Sequence, residues 1–62
     1  MCLSTVYRVD GTEKTEIAKN VSSIQMMDNG DIVCFDIMGR KTVISGSELK
    51  KLDFLENEIL VS

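Results

Sequence analysis

Apolar and polar positions alternate through residues 3–9, with Leu3, Thr5, Tyr7 and Val9 on one face and Ser4 and Arg8 on the other. Alternation with strand-favouring residue types predicts a β-strand. Asp10-Gly11 then supplies a tight turn, and residues 15–18 read as a second, weaker strand. Residues 22–28 and 31–37 form the clearest hairpin signal, around Asn29-Gly30. In its second arm Val33, Phe35 and Ile37 share one apolar face, while Ile32 and Cys34 leave the other partly apolar. A strand apolar on both sides lies centrally in a sheet or against a second subunit. Bends at Met38-Gly39, Ser45-Gly46 and Glu56-Asn57 delimit further strands at 41–45, 52–55 and 58–61. Ser47 is placed to cap one helical turn through Lys51. The predicted fold is all-β: a small SH3-like barrel of six or seven short strands with one short helical turn.

Sixty-two residues make a single domain, 1–62, and a core this small buries little surface. Small scaffolds gain stability from a disulfide, a metal or a partner copy. The hydrophobic fraction, 44%, excludes a disordered chain and leaves a second subunit as the expected source of extra burial. The net charge of −3 lowers the expectation of nucleic-acid binding. Arg8, Lys14 and Lys19 are scattered, and only the pairs Arg40–Lys41 and Lys50–Lys51 could form a basic patch.

No basic-then-apolar leader precedes the first strand, and no apolar run approaches the ~20 residues of a membrane span. The expected location is therefore the cytoplasm, where Cys2 and Cys34 stay reduced.

The sequence has no histidine, which excludes Ser-His-Asp and Cys-His arrangements, and neither cysteine belongs to a C-x-x-C pair. Residues 28–31, Asp-Asn-Gly-Asp, lack the further ligands of a calcium loop and read as a solvated hairpin tip. The acid pairs Asp53/Glu56 and Glu56/Glu58 read as charges near a turn. Cys34, between Val33 and Phe35, reads as a small core hydrophobe. Cys2 stands apart. A thiol so near a terminus is ordinarily frayed and open to oxidation, unless it is the first buried residue of the opening strand. A thiolate, a terminal amine and an intervening deprotonated amide nitrogen can chelate one ion. Such N,S donors suit square-planar Ni(II) or Cu(II). One chain offers only two or three of them, and a two-fold axis that brings two Cys2 residues together would complete the set.

The opening block Met1-Cys2-Leu3-Ser4-Thr5-Val6-Tyr7, with the chain length and turn rhythm, resembles the CooT family of small nickel-binding proteins. The resemblance implies an SH3-like barrel, a homodimer, and Ni(II) held through Cys2. It also implies a metallochaperone role in the maturation of a nickel enzyme such as carbon monoxide dehydrogenase, with that enzyme or its maturation proteins as partners. Family reasoning has Met1 removed, so that Cys2 offers both amine and thiolate; with Met1 retained, the donors become the Met1 amine and the Cys2 amide and thiolate. An older family label, RNA-binding protein, keeps a second reading open: a nucleic-acid-binding barrel in which Arg40, Lys41, Lys50 and Lys51 converge with Tyr7 or Phe54. A third, a Cys2 nucleophile enzyme, lacks any evident oxyanion hole, and the chain is expected not to be an enzyme.

Overall fold

The computed structural model describes residues 2–62, which form six strands in one mixed sheet. The strands are β1 (Ser4–Asp10), β2 (Glu13–Met26), β3 (Ile32–Asp36), β4 (Lys41–Ile44), β5 (Leu49–Asp53) and β6 (Glu58–Val61). Their order across the sheet is β4-β3-β2-β1-β6-β5. Neighbours pair antiparallel except β1 and β6, which run parallel and join the two ends of the chain.

The turn residues carry this topology. Gly11, Gly30, Gly39 and Gly46 all have positive φ, as does Asn57 at 56°. Each of the five turn signals in the sequence is thus a turn in the fold. At the β2–β3 tip, the Asn29 side chain accepts from the Asp31 backbone N–H at 3.0 Å.

One feature differs from the pattern. The two strands expected at 15–18 and 22–28 are a single 14-residue strand, β2. It is bent by two register shifts against β1 and one against β3, and Asn20 sits between them with φ 54°. Asparagine tolerates this left-handed conformation better than most side chains. The shifts explain why Ala18, Val21 and Ile24, three residues apart, all pack on the same core.

That core joins Val6, Val21, Ile32, Cys34, Ile44, Ile59 and Val61. No helix covers it among the described residues, yet Val6, Ile32 and Val61 are completely buried. A lone sheet can bury one of its faces so fully only by curling over it. The fully buried residue of β1 is on the Ser4-Val6-Arg8 face, not on the face of Leu3, Thr5, Tyr7 and Val9. Val6 points to the core, and Tyr7 lies outside beneath the Lys14 ammonium. Alternation identifies which residues share a face; with apolar residues on both faces it does not say which face is inside.

Two further expectations are corrected. The sheet is not closed into a barrel by hydrogen bonds: β4 and β5 end the strand order as edges, and their Lys41, Lys50 and Lys51 are the kind of residue that guards an edge against further pairing. The helical turn at 47–51 is absent, because Glu48 exchanges backbone hydrogen bonds with Ser62 at 2.8 and 3.0 Å, drawing the segment into β5. The Ser47 hydroxyl meets the Arg8 guanidinium at 3.3 Å instead of capping a helix. The strand expected at 52–55 correspondingly ends at Asp53, whose carboxylate accepts from the N–H groups of Leu55 and Glu56 and makes residues 54–57 a turn.

Candidate metal centre

Cys2 precedes β1 and is exposed, so it is not the first buried residue of that strand. It borders a cleft of about 230 Å³ between the start of β1, the middle of β2 and the β5–β6 turn. The β1 end of this cleft is anchored where the Thr5 N–H donates to the Asn57 carbonyl at 3.0 Å. Val21, Ile24 and Ile59 form its apolar wall, and Leu52 and Phe54 stand at its rim. Phe54 is 81% exposed and the adjoining Leu55 89%.

The carboxylates in this cleft are already committed. Asp53 Oδ1 accepts from the N–H groups of Leu55 and Glu56 at 3.1 and 2.9 Å, and its Oδ2 lies 3.3 Å from Lys51. These contacts, the Glu56 N–H foremost, hold the Asp53 carboxyl below the usual range. Glu58 Oε2 takes the Lys14 ammonium at 3.0 Å, and that contact raises the lysine. No group of three or more His, Cys, Asp or Glu side chains converges among the described residues. Among the described residues, Cys2 is the only soft donor on the cleft, and no side-chain metal site is assembled around it. The Met1 amine, the other donor considered above, lies outside the described residues.

Cys34 is elsewhere in the fold. It is 1% exposed in the core, and burial pushes its thiol up, away from the reactive thiolate. The core reading of Cys34 therefore matches the structure.

The basic residues proposed for an RNA surface divide between the two edge strands. Arg40 and Lys41 adjoin edge strand β4, whereas Lys50 and Lys51 lie on β5 at the opposite end of the strand order. Lys50 pairs with Glu48 and Lys51 with Asp53. The Tyr7 ring is occupied by Lys14, 4.6 Å from its centroid. A different grouping, which spacing did not reveal, brings Lys19 of β2 to Arg40 and Lys41 along a second groove of about 460 Å³. The bend at Asn20 makes this possible, and a lone Asn inside a strand pattern was its one available signal.

The described residues thus form a curled sheet without a helix, with the Cys2 thiol exposed ahead of β1. The chain belongs to the CooT family: the family model described as CO dehydrogenase accessory protein CooT matches residues 1–62. Its members assist CO dehydrogenase rather than catalyse, which agrees with the expectation that the chain is not an enzyme. Among solved structures, one provisionally described as CooT from Carboxydothermus hydrogenoformans superposes with a TM-score of 0.85 at 22% identity, covering 97% of this chain and 94% of that one. That likeness establishes a common fold. No curated protein matches the sequence. Among the described residues, no helix is long and apolar enough to cross a membrane.

Proposed function

We propose that this accessory protein of CO dehydrogenase carries Ni(II) as cargo, held through Cys2 and shared between two copies of the chain, and hands it on during maturation of the enzyme. The observation that carries this reading is the exposure of Cys2 on a cleft whose carboxylates are all engaged. A borderline-soft ion would find the Cys2 thiolate and nearby backbone nitrogen there, and little else among the described residues. A second copy would supply the matching donors, since a two-fold axis puts the same residue on both sides. The apolar rim of Leu52 and Phe54 on the Cys2 cleft, with the adjoining exposed Leu55, offers surface for that contact. Metal capture would release protons and favour the dimer, while an exposed, incompletely caged ion could be passed on. The same reading takes residues 1–62 as one cytoplasmic domain, and its curled sheet as a relative of the SH3-like barrels.

Absorption spectroscopy with added Ni(II) tests it. A thiolate-to-metal band should appear in the native chain, vanish in Cys2→Ser and survive in Cys34→Ser. A band that persists in Cys2→Ser removes Cys2 from the site. Against the RNA-binding reading, Lys50 and Lys51 are paired with Glu48 and Asp53, and Lys14 occupies the Tyr7 ring.

A further inference from the structure

The β2 bend and the β3–β4 turn are tied together by one hydrogen bond, in which the Ile37 N–H donates to the Asn20 carbonyl at 3.0 Å. This contact sets Lys19 beside the turn that carries Ile37, Met38 and Arg40, with Lys41 following at the head of β4. The turn is firmly built. Asp36 accepts from the backbone N–H groups of Met38 and Arg40 at 2.9 and 2.8 Å and from Arg40 Nε at 2.8 Å.

Three cations therefore meet one carboxylate on this groove, in a chain whose net charge is −3. The carboxylate consumes only Arg40 Nε; no other bond among the described residues engages that guanidinium. Lys19 and Lys41 make no ion pair among the described residues, whereas Lys14, Lys50 and Lys51 each do. Beside the groove, the turn between Asp36 and Arg40 exposes two apolar side chains that do not line it: Ile37 is 54% exposed and Met38 76%. Burying such side chains needs an apolar partner, which a free oxyanion is not. Single-stranded nucleic acids bind largely by stacking their bases on aromatic side chains, and no aromatic side chain lines this groove.

We propose that this groove is a docking surface for an acidic, partly apolar peptide segment of a partner protein, whose carboxylates meet Lys19, Arg40 and Lys41 while its apolar side chains cover Ile37 and Met38. Charge complementarity selects the partner and speeds encounter, and the apolar contacts slow its departure. The groove shares the buried Val21 with the Cys2 cleft, but Cys2 does not line it. The inference does not depend on the nickel reading, because charge and shape on this face are independent of Cys2.

The test is an amide NMR titration of the full chain with a synthetic peptide alternating Glu and Asp with Leu and Phe. Shifts should concentrate at residues 18–21 and 36–42. Binding should weaken by about tenfold or more in Lys19→Glu/Lys41→Glu and at raised ionic strength. Lys19→Gln/Lys41→Gln gives the same test without added repulsion, should charge reversal unfold the chain. Met38→Ser should weaken binding in a salt-independent way, and Cys2→Ser should leave it unchanged. Shifts elsewhere, or no binding, overturn the proposal. So does a uridine oligonucleotide binding this face in place of the peptide. Concentration-dependent shifts at the same residues without peptide would assign the face to a second copy instead.

Discussion

Val6 and Ile59 face each other in the parallel pairing of β1 with β6, one fully buried and the other 6% exposed. Through this pair the end of the chain secures its beginning, a few residues from Cys2. Ile59→Ala should cost about 2–5 kcal/mol, the range for deleting a buried aliphatic side chain. That is a large share of the roughly 3–9 kcal/mol expected from ~0.05–0.15 kcal/mol per residue. Urea unfolding should show a clearly lowered midpoint, and Val6→Ala should fall in the same direction. An unchanged midpoint would mean the β1–β6 seam is not central to the fold.

Asn20 holds the bend in β2 at a positive φ. Asn20→Gly should be close to neutral, because glycine enters this region freely. Asn20→Val should destabilise by about 1–2 kcal/mol, since a β-branched residue resists it. Thermal unfolding of the two variants compares them directly. Equal stabilities would argue against a bend that depends on residue 20.

Asp36 gives a pH signature. The Arg40 backbone N–H first, then the Arg40 guanidinium and the Met38 N–H, hold its carboxyl below the usual range despite the opposing effect of desolvation. A carboxylate depressed in the folded state stabilises above its unfolded pKa, and that contribution is lost as pH falls through the folded value. Asp36→Asn should therefore lower the urea midpoint at neutral pH. The difference from the native chain should shrink in acid, once pH falls below the ordinary carboxylate range. A gap that widens in acid would contradict the assignment.

The two thiols should differ in reactivity. Cys2 is exposed and Cys34 buried, with its thiol pushed up by burial. A thiol reagent should modify Cys2 at once and Cys34 slower by ~10³-fold or more, as an opening free energy of ~4 kcal/mol would require. Under denaturant both should react alike. Two equally fast thiols in the native chain would place Cys34 outside the core.

Much of this fold was legible because turns and strands are written locally. Gly11, Gly30, Gly39, Gly46 and Asn57 each occupy the left-handed conformation their type favours, and the strands fall between them. The less legible features depend on distant partners. Residues 47–51 follow a capping signal locally, but Ser62 draws Glu48 into the sheet. The core face of β1 is decided by how the whole sheet curls, not by the alternation of residues 3–9. The candidate site divides in the same way. The position of Cys2 marks it without any fold, whereas the meeting of Lys19 with Arg40 and Lys41 needs a bend that only the assembled sheet displays.

Native mass spectrometry of the full chain with Ni(II) tests the central claim most directly, because it reads subunit number and metal content in one spectrum. The account predicts a dimer that gains nickel shared between its two chains, unaffected by Cys34→Ser and lost in Cys2→Ser. Nickel retained by Cys2→Ser, or nickel bound equally well by a monomer of the native chain, would contradict it.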